Sequence, residues 1–278
     1  MKVKIWGTHA QVSSPDPKTQ IYGGNTACVE IQAENTPALI LDAGMGIHWL
    51  GNHLIKGACG RSQDQGHILL THVHWDHIQD IPFFAPMLIP GNHLTIYGLD
   101  AAFLSQLLAQ MQPVFCPVPN FFNAGIGADI EVKDLSTGEI SIGAVKIKAV
   151  RIHHHDDVVC LSFPLEANGH SIAYLPDVEY LTEAHRQQII SLADGVDLLF
   201  HDAMLKAEEY PDHLGQGHCS IDDGIDIASR VAVGKPVLFS HHPNRSDVEI
   251  DAMLKTATVN AIDDAIEVTE YTHRIHSL

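Results

Sequence analysis

No stretch of the 278-residue sequence approaches the roughly 18 consecutive apolar residues of a membrane span. Met1-Lys2 runs straight into the short alternating segment Val3-Lys4-Ile5-Trp6, which is too short and too polar for a signal peptide's hydrophobic region. Cysteine is scarce: Cys28, Cys59, Cys116, Cys160 and Cys219 form an odd, scattered set without a CxxC pair. That argues against a disulfide framework and for a reducing compartment, so a cytoplasmic protein with no membrane partner is expected. Basic residues are also few, 16 Lys and Arg against 34 Asp and Glu, for a formal charge of −18. Such a surface repels phosphate backbones, and no nucleic-acid partner is expected. No low-complexity tract, charge run or linker interrupts the chain, so residues 1–278 are expected to form a single domain.

Apolar residues reach 45% against 18% charged, enough to bury a sizeable core. Short β-branched runs recur at 27–32, 37–42, 67–71, 94–98, 144–152, 158–165, 170–176, 196–200 and 236–240. Helical spacing stands between some of them. Residues 100–111 start at Asp100, a good N-cap, and place Phe103, Leu104, Leu107, Leu108 and Met111 on one face. Thr182 can cap a helix to about Ala193, and Ser220 with Asp223 and Ser246 with Glu249 form capping boxes. Hairpin-like pairs are expected in the N-terminal half and alternating strands and helices in the C-terminal half. Residues 112–128, rich in Pro, Gly and Phe, form an expected loop, either pinned to the core or facing substrate or a second subunit of a homodimer.

Histidine is plentiful: 20 residues, more than Lys and Arg together. Their placement is informative. The run ending at Thr71 is followed by His72-Val73-His74-Trp75-Asp76-His77, and the run through Ile152 by His153-His154-His155. Asp177, His201-Asp202 and His241-His242 close three further runs. In α/β sheets ligands bind outside the carboxyl ends of strands, where five runs here deliver His or Asp. Positions i and i+2 of an extended segment project the same way, so His72 and His74 can clasp one ion, with Asp76 and His77 facing a second. Zinc takes imidazole nitrogen and carboxylate oxygen together.

This constellation resembles the metallo-β-lactamase superfamily, whose H-x-H-x-D-H signature stands at residues 72–77. Gly23-Gly24-Asn25-Thr26, Leu41-Asp42-Ala43-Gly44, Pro82-Phe83-Phe84, Tyr174-Leu175-Pro176-Asp177, Asp197–Asp202 and Gly217-His218-Cys219-Ser220 follow the order of its ribonuclease Z-like and phosphodiesterase-like branch. The resemblance implies an α/β four-layer αββα sandwich with two divalent metal ions, zinc first and Mn or Fe as alternatives. It implies His72, His74 and His154 around the first ion, with His153 in reserve. Asp76, His77 and one histidine of the 241–242 pair would surround the second, and Asp177 would bridge them. Ungapped comparison puts Ser240 where that last ligand is expected; a one-residue shift restores His241, preferred because serine is a poor zinc ligand. Where the family has Gly after the hexad, Asp80 stands here, and a left-handed backbone is expected at it.

The function implied is a metal-dependent hydrolase of small phosphodiesters, acting through a hydroxide held between the two ions. Asp76 and His218 are the candidate catalytic residues, His218 as proton donor to the leaving group. Thioesterase- or lactonase-type acyl hydrolysis and a metal-binding regulatory module with little turnover are the alternatives. His201-Asp202 resembles the family's structural Asp near the metals, and Gly23-Gly24 lacks the Lys-Ser/Thr of a phosphate loop.

Overall fold

The computed structural model describes residues 1–62, 64–115, 127–135, 138–155, 158–256 and 267–270. The first sheet contains β1 (Lys2–Gly7), β2 (Cys28–Gln32), β3 (Ala38–Leu41), β4 (Gln65–Leu69), β5 (His93–Gly98), β6 (Asp129–Asp134) and β13 (Glu267–Glu270), in the order β13-β1-β2-β3-β4-β5-β6. The second contains β7 (Gly138–Ile142), β8 (Val145–His155), β9 (Val158–Ala167), β10 (His170–Leu175), β11 (Leu198–Asp202) and β12 (Lys235–Phe239), in the order β12-β11-β10-β9-β8-β7. The helices are α1 (Gly46–Leu54), α2 (Trp75–Ile78), α3 (Ala101–Phe115), α4 (Glu183–Ala193), α5 (Ile221–Arg230) and α6 (Asp247–Thr256).

Period-two alternation sorts the apolar runs into layers. Leu39 and Leu41 of β3 point between the sheets, where they join Val3, Val29, Phe163, Tyr174 and Phe200. Ile40 between them points outward, with Ile68 and Ile96, onto Ile47 and Leu50 of α1 and Leu104 and Leu108 of α3. In β10, Ile172 and Tyr174 face inward while Ala173 and Leu175 meet Ile189 of α4 and Ile227 of α5. Both faces of the central strands are therefore buried, which is why they read as continuous apolar runs. Helix, sheet, sheet, helix: this is the expected αββα sandwich. Among the described residues, no helix is long and apolar enough to cross a membrane.

The expected caps are formed. Thr182 Oγ1 accepts from His185 N–H at 3.2 Å, and Ser220 and Asp223 bond reciprocally. Asp100 caps α3 through Phe103 N–H at 3.0 Å, and the helix runs to Phe115, beyond the Met111 expected. The rest of the expected 112–128 loop, up to residue 126, lies outside the described residues. Two expectations differ from the structure. Antiparallel pairing is not concentrated in the N-terminal half: β7-β8-β9-β10 is the longest meander, while β3-β4-β5-β6 is parallel. Asp80 is not left-handed; its φ of −104° with ψ of 8° lets it lead directly into a 3₁₀ turn at Ile81–Phe83.

Candidate metal centre

The carboxyl ends of β4, β8, β10 and β11 meet at one edge of the sandwich. The hexad leaves β4 through Leu70 and Thr71 and enters α2, with His74 extended (φ −60°, ψ 149°) at the helix's N-cap position. That bend splits the hexad: His72 and His74 precede the helix, and Asp76 and His77 ride its first turn. From the second sheet come His154 near the end of β8, Asp177 after β10, and Asp202 at the end of β11.

Two groups of donors form around one carboxylate. His72, His74, His154 and Asp177 make the first, and Asp76, His77 and Asp177 the second, each with its ligand atoms within 4.8 Å of one another. Asp177 Oδ2 is the shared atom, 3.6 Å from His72 Nε2, 3.2 Å from His77 Nε2 and 3.9 Å from His154 Nε2. His154 Nε2 and His74 Nδ1 stand 3.1 Å apart. His72 and His77 are buried, yet neither Nε2 has a hydrogen-bond partner. Converging buried nitrogens with spare lone pairs around a carboxylate fit a divalent cation, which supplies the missing partner.

The hydrogen bonds fix the tautomers this requires. His154 Nδ1 donates to the Gly217 carbonyl at 2.5 Å, leaving Nε2 as the lone pair. His77 Nδ1 stands 3.0 Å from Asp42 Oδ2, whose charge favours the ring proton on that nitrogen. Thr71 Oγ1 donates to Asp42 at 3.0 Å and accepts from His72 Nδ1 at 3.0 Å. Asp42 also receives Thr71 N–H at 2.8 Å and Tyr174 O–H at 3.0 Å. One buried carboxylate thus orients His77 directly and His72 through a threonine, aiming both Nε2 atoms at Asp177.

Electrostatics agree. Burial holds His72 well below the usual imidazole range and lowers His154 to about 4, so both keep a free lone pair at neutral pH. Burial opposes a proton on His77 too, but Asp177, Asp42 and Asp76 outweigh it and push its pKa up. The carboxylates around His77 call for positive charge, which a bound cation can supply in place of the proton.

His218 flanks the shared carboxylate, grouped with Asp177 and Asp202. Its Nδ1 donates to Asp202 Oδ2 at 2.7 Å. Burial alone would lower its pKa, but the Asp202 charge prevails and raises it to about 9, while burial pushes Asp202 up to about 6. The Asp202 carboxylate beside its ring favours the protonated form of His218. His201, by contrast, is spent on Tyr180 O–H and on the Asp202 carbonyl (2.6 Å), away from the clusters.

His72, His74, Asp76, His77, His154, Asp177 and His218 are thus brought together, and His241 is not. Ser240 has a left-handed φ of 55°, which turns the chain so that its own Oγ reaches Asp177 Oδ1 at 2.8 Å. The His241 ring points instead toward His9, with centroids 5.9 Å apart, and Tyr22. His242 Nδ1 accepts from Asn244 N–H at 3.2 Å. His153 projects to the other face of β8 from His154 and stacks on His185 at 4.2 Å. Sequence reasoning passed over Asp42 as a positioning residue, and over Thr71 and Tyr174 with it. The acid closing β3, in Leu41-Asp42-Ala43-Gly44, was the available signal.

A family model described as a beta-lactamase superfamily domain matches residues 38–242. Over 285 aligned residues the chain is 26% identical to the uncharacterized protein Rv1339 of Mycobacterium tuberculosis, covering 96% of this chain and 92% of that one. Among solved structures it is similar to Zn(2+)-bound PqqB from Methylobacterium extorquens, with a TM-score of 0.69 at 13% identity over 98% of both chains. It is also similar to a diphosphatase of the PhnP family, with a TM-score of 0.58 at 16% identity over 96% of this chain and 94% of that one. At those identities the likeness speaks for the fold. The matched span runs from β3 to His242 and contains the hexad, Asp177 and His218, and on that ground the chain belongs to the metallo-β-lactamase superfamily.

Proposed function

We propose that this chain is a cytoplasmic, dinuclear metal-dependent phosphodiesterase acting on small phosphodiesters. The observation that carries the reading is the pair of donor groups sharing Asp177, with the hydrogen-bonded His218–Asp202 pair on their flank. Divalent ions bound there supply Lewis-acid charge and lower the pKa of water at the site. His72, His74 and His154 would hold one ion and Asp76 and His77 the other, with Asp177 available to both. Asp76 is steadied by the Gln11 N–H, which donates to its Oδ2 at 2.5 Å, and would orient the ion held there. His218 keeps Nδ1–H on Asp202 and a proton at Nε2 to give to the departing alkoxide. The imidazolium also offsets the negative charge of a phosphodiester, which this acidic chain otherwise repels. The fold is one that also carries a diphosphatase and a zinc-bound protein, PqqB, in keeping with this reading.

His218→Ala is expected to lower kcat on an alkyl phosphodiester by roughly 10²–10⁴. An aryl leaving group barely needs the proton, so the loss there is smaller, with metal content unchanged. Equal losses on both substrates would return His218 to a structural role. An aryl ester hydrolysed faster than either diester would move the assignment to acyl chemistry. No turnover of any of them by the metal-loaded protein would leave a binding module.

A further inference from the structure

The turn after β10 brings three consecutive residues to the metal edge, and each makes a different connection. Asp177 is the carboxylate shared by the donor groups. Val178 N–H donates at 3.2 Å to Asp202 Oδ2, the oxygen that also takes His218 Nδ1–H. Glu179 is fully buried and reaches the loop that leads from β11 to α5. Its Oε1 accepts Gly215 N–H at 2.7 Å and Tyr210 O–H at 3.2 Å, and its Oε2 accepts Gly217 N–H at 2.8 Å. No lysine or arginine is among these partners. A charge buried on hydrogen bonds alone is costly unless the donors are held where they meet it. Gly215 and Gly217 meet that need: both adopt left-handed backbone, with φ of 82° and 91°, and turn their amides onto the one carboxylate.

His218 is the next residue, and it is fixed from two sides. Its ring is held by Asp202, which is itself held by the amides of Val178 and, at 3.0 Å, Met204. Its backbone follows Gly217, whose amide is on Glu179 and whose carbonyl is on His154. We infer that Glu179 is the positioning residue of His218, setting the backbone from which the imidazole reaches both Asp202 and the departing group. One turn thereby carries the shared carboxylate, a support for the partner of His218 and the anchor of its backbone. The inference rests on the proposed role of His218 as proton donor. It adds to that role a side chain that bonds none of the metal donors.

The test uses the full chain loaded with zinc. Glu179→Gln keeps the shape but turns one acceptor oxygen into an amide donor, which then opposes an N–H. On an alkyl phosphodiester kcat is expected to fall by about 10–100-fold, the effect of a displacement of about 1 Å. On an aryl phosphodiester, which barely needs the proton, the fall is no more than about 3-fold. Beside His218→Ala the same substitution adds no more than about 2-fold, because residues that act as a unit are not additive. Equal losses on both substrates, or a loss that persists in full beside His218→Ala, would overturn the inference. Tyr210→Phe removes one donor, leaves the carboxylate in place, and carries the test should Glu179→Gln not fold. Its alkyl-to-aryl ratio of kcat is expected to fall by about 2–5-fold, and an unchanged ratio would overturn the inference as well. A second readout needs no turnover: the proton that His218 Nδ1 gives to Asp202 is followed by nuclear magnetic resonance as a downfield signal that His218→Ala abolishes. Glu179→Gln is expected to shift or broaden that signal, and an unmoved signal in the folded variant would refute the positioning role. A shifted signal in a protein that cleaves no phosphodiester would overturn the proposed function and leave Glu179 as the residue that places His218.

Discussion

Asp80 stands where its family resemblance calls for glycine, and its carboxyl is buried three residues beyond His77. Burial pushes its pKa up to about 6, so the folded chain holds this proton more tightly than the unfolded chain does. The stability it contributes is complete below the ordinary carboxylate value and is lost as pH rises through about 6. Asp80→Asn removes the charge without changing the shape. Melting of the metal-free proteins should show no gain for the variant at pH 4 and a higher Tm than the parent at pH 8. A lower Tm at pH 8 would mean that the contact with His48, 3.9 Å away, outweighs burial. At this scale the hexad was legible because its spacing states its chemistry. The roles of Asp42 and Ser240 were not. Asp42 reaches Thr71 across 29 residues and Tyr174 across 132, and only the fold closes those distances. Ser240 wins its place through a left-handed backbone turn that Ser-His-His-Pro does not announce.

Among the elements, the strand ends were legible for a related reason: central strands buried on both faces are apolar until they stop, and the first polar residues mark the edge where ligands bind. Edge strands hide. β6, Asp-Ile-Glu-Val-Lys-Asp, pairs on one side only and carries charge, as edges that must avoid further pairing do, and it went unread with β7. The loop before α5 shows how one element is fitted to another. Gly217 adopts φ of 91°, and a Cβ there would stand 2.6 Å from the His154 ring, while Glu179 accepts Gly217 N–H at 2.8 Å and Gly215 N–H at 2.7 Å. Buried Glu179 thus clamps the loop onto the end of β8. Gly217→Ala is expected to displace the His154 ring and weaken zinc retention by about 10–100-fold, comparable to loss of a ligand's orienting partner. Dialysis against a chelator with elemental analysis measures this, and unchanged retention with an intact circular dichroism spectrum would refute it.

For the whole molecule, charge bears on the size of the proposed substrate. At −18, the chain gains little from releasing the counterions of a polynucleotide, the main source of affinity in most RNA-binding proteins. It is expected to cleave a small phosphodiester and to leave a precursor transfer RNA uncut at equal concentration. Efficient, salt-sensitive cleavage of the RNA would contradict this. An α/β fold with one ligand-bearing edge was legible in the apolar runs and the residues that end them, and the sandwich came with the resemblance that the hexad carries. Which strands pair with which was not, because pairing is settled by contacts between distant segments. The first donor group draws His72 and His74 from the hexad after β4 and His154 from β8; the second sets Asp76 and His77 against Asp177, which follows β10. Each group therefore draws donors from both sheets, and an ion in either would act as a rivet between the two halves of the sandwich. Starved of metal, the molecule would part first at that edge, so that the supply of ions governs how long the chain resists proteases as well as whether it works.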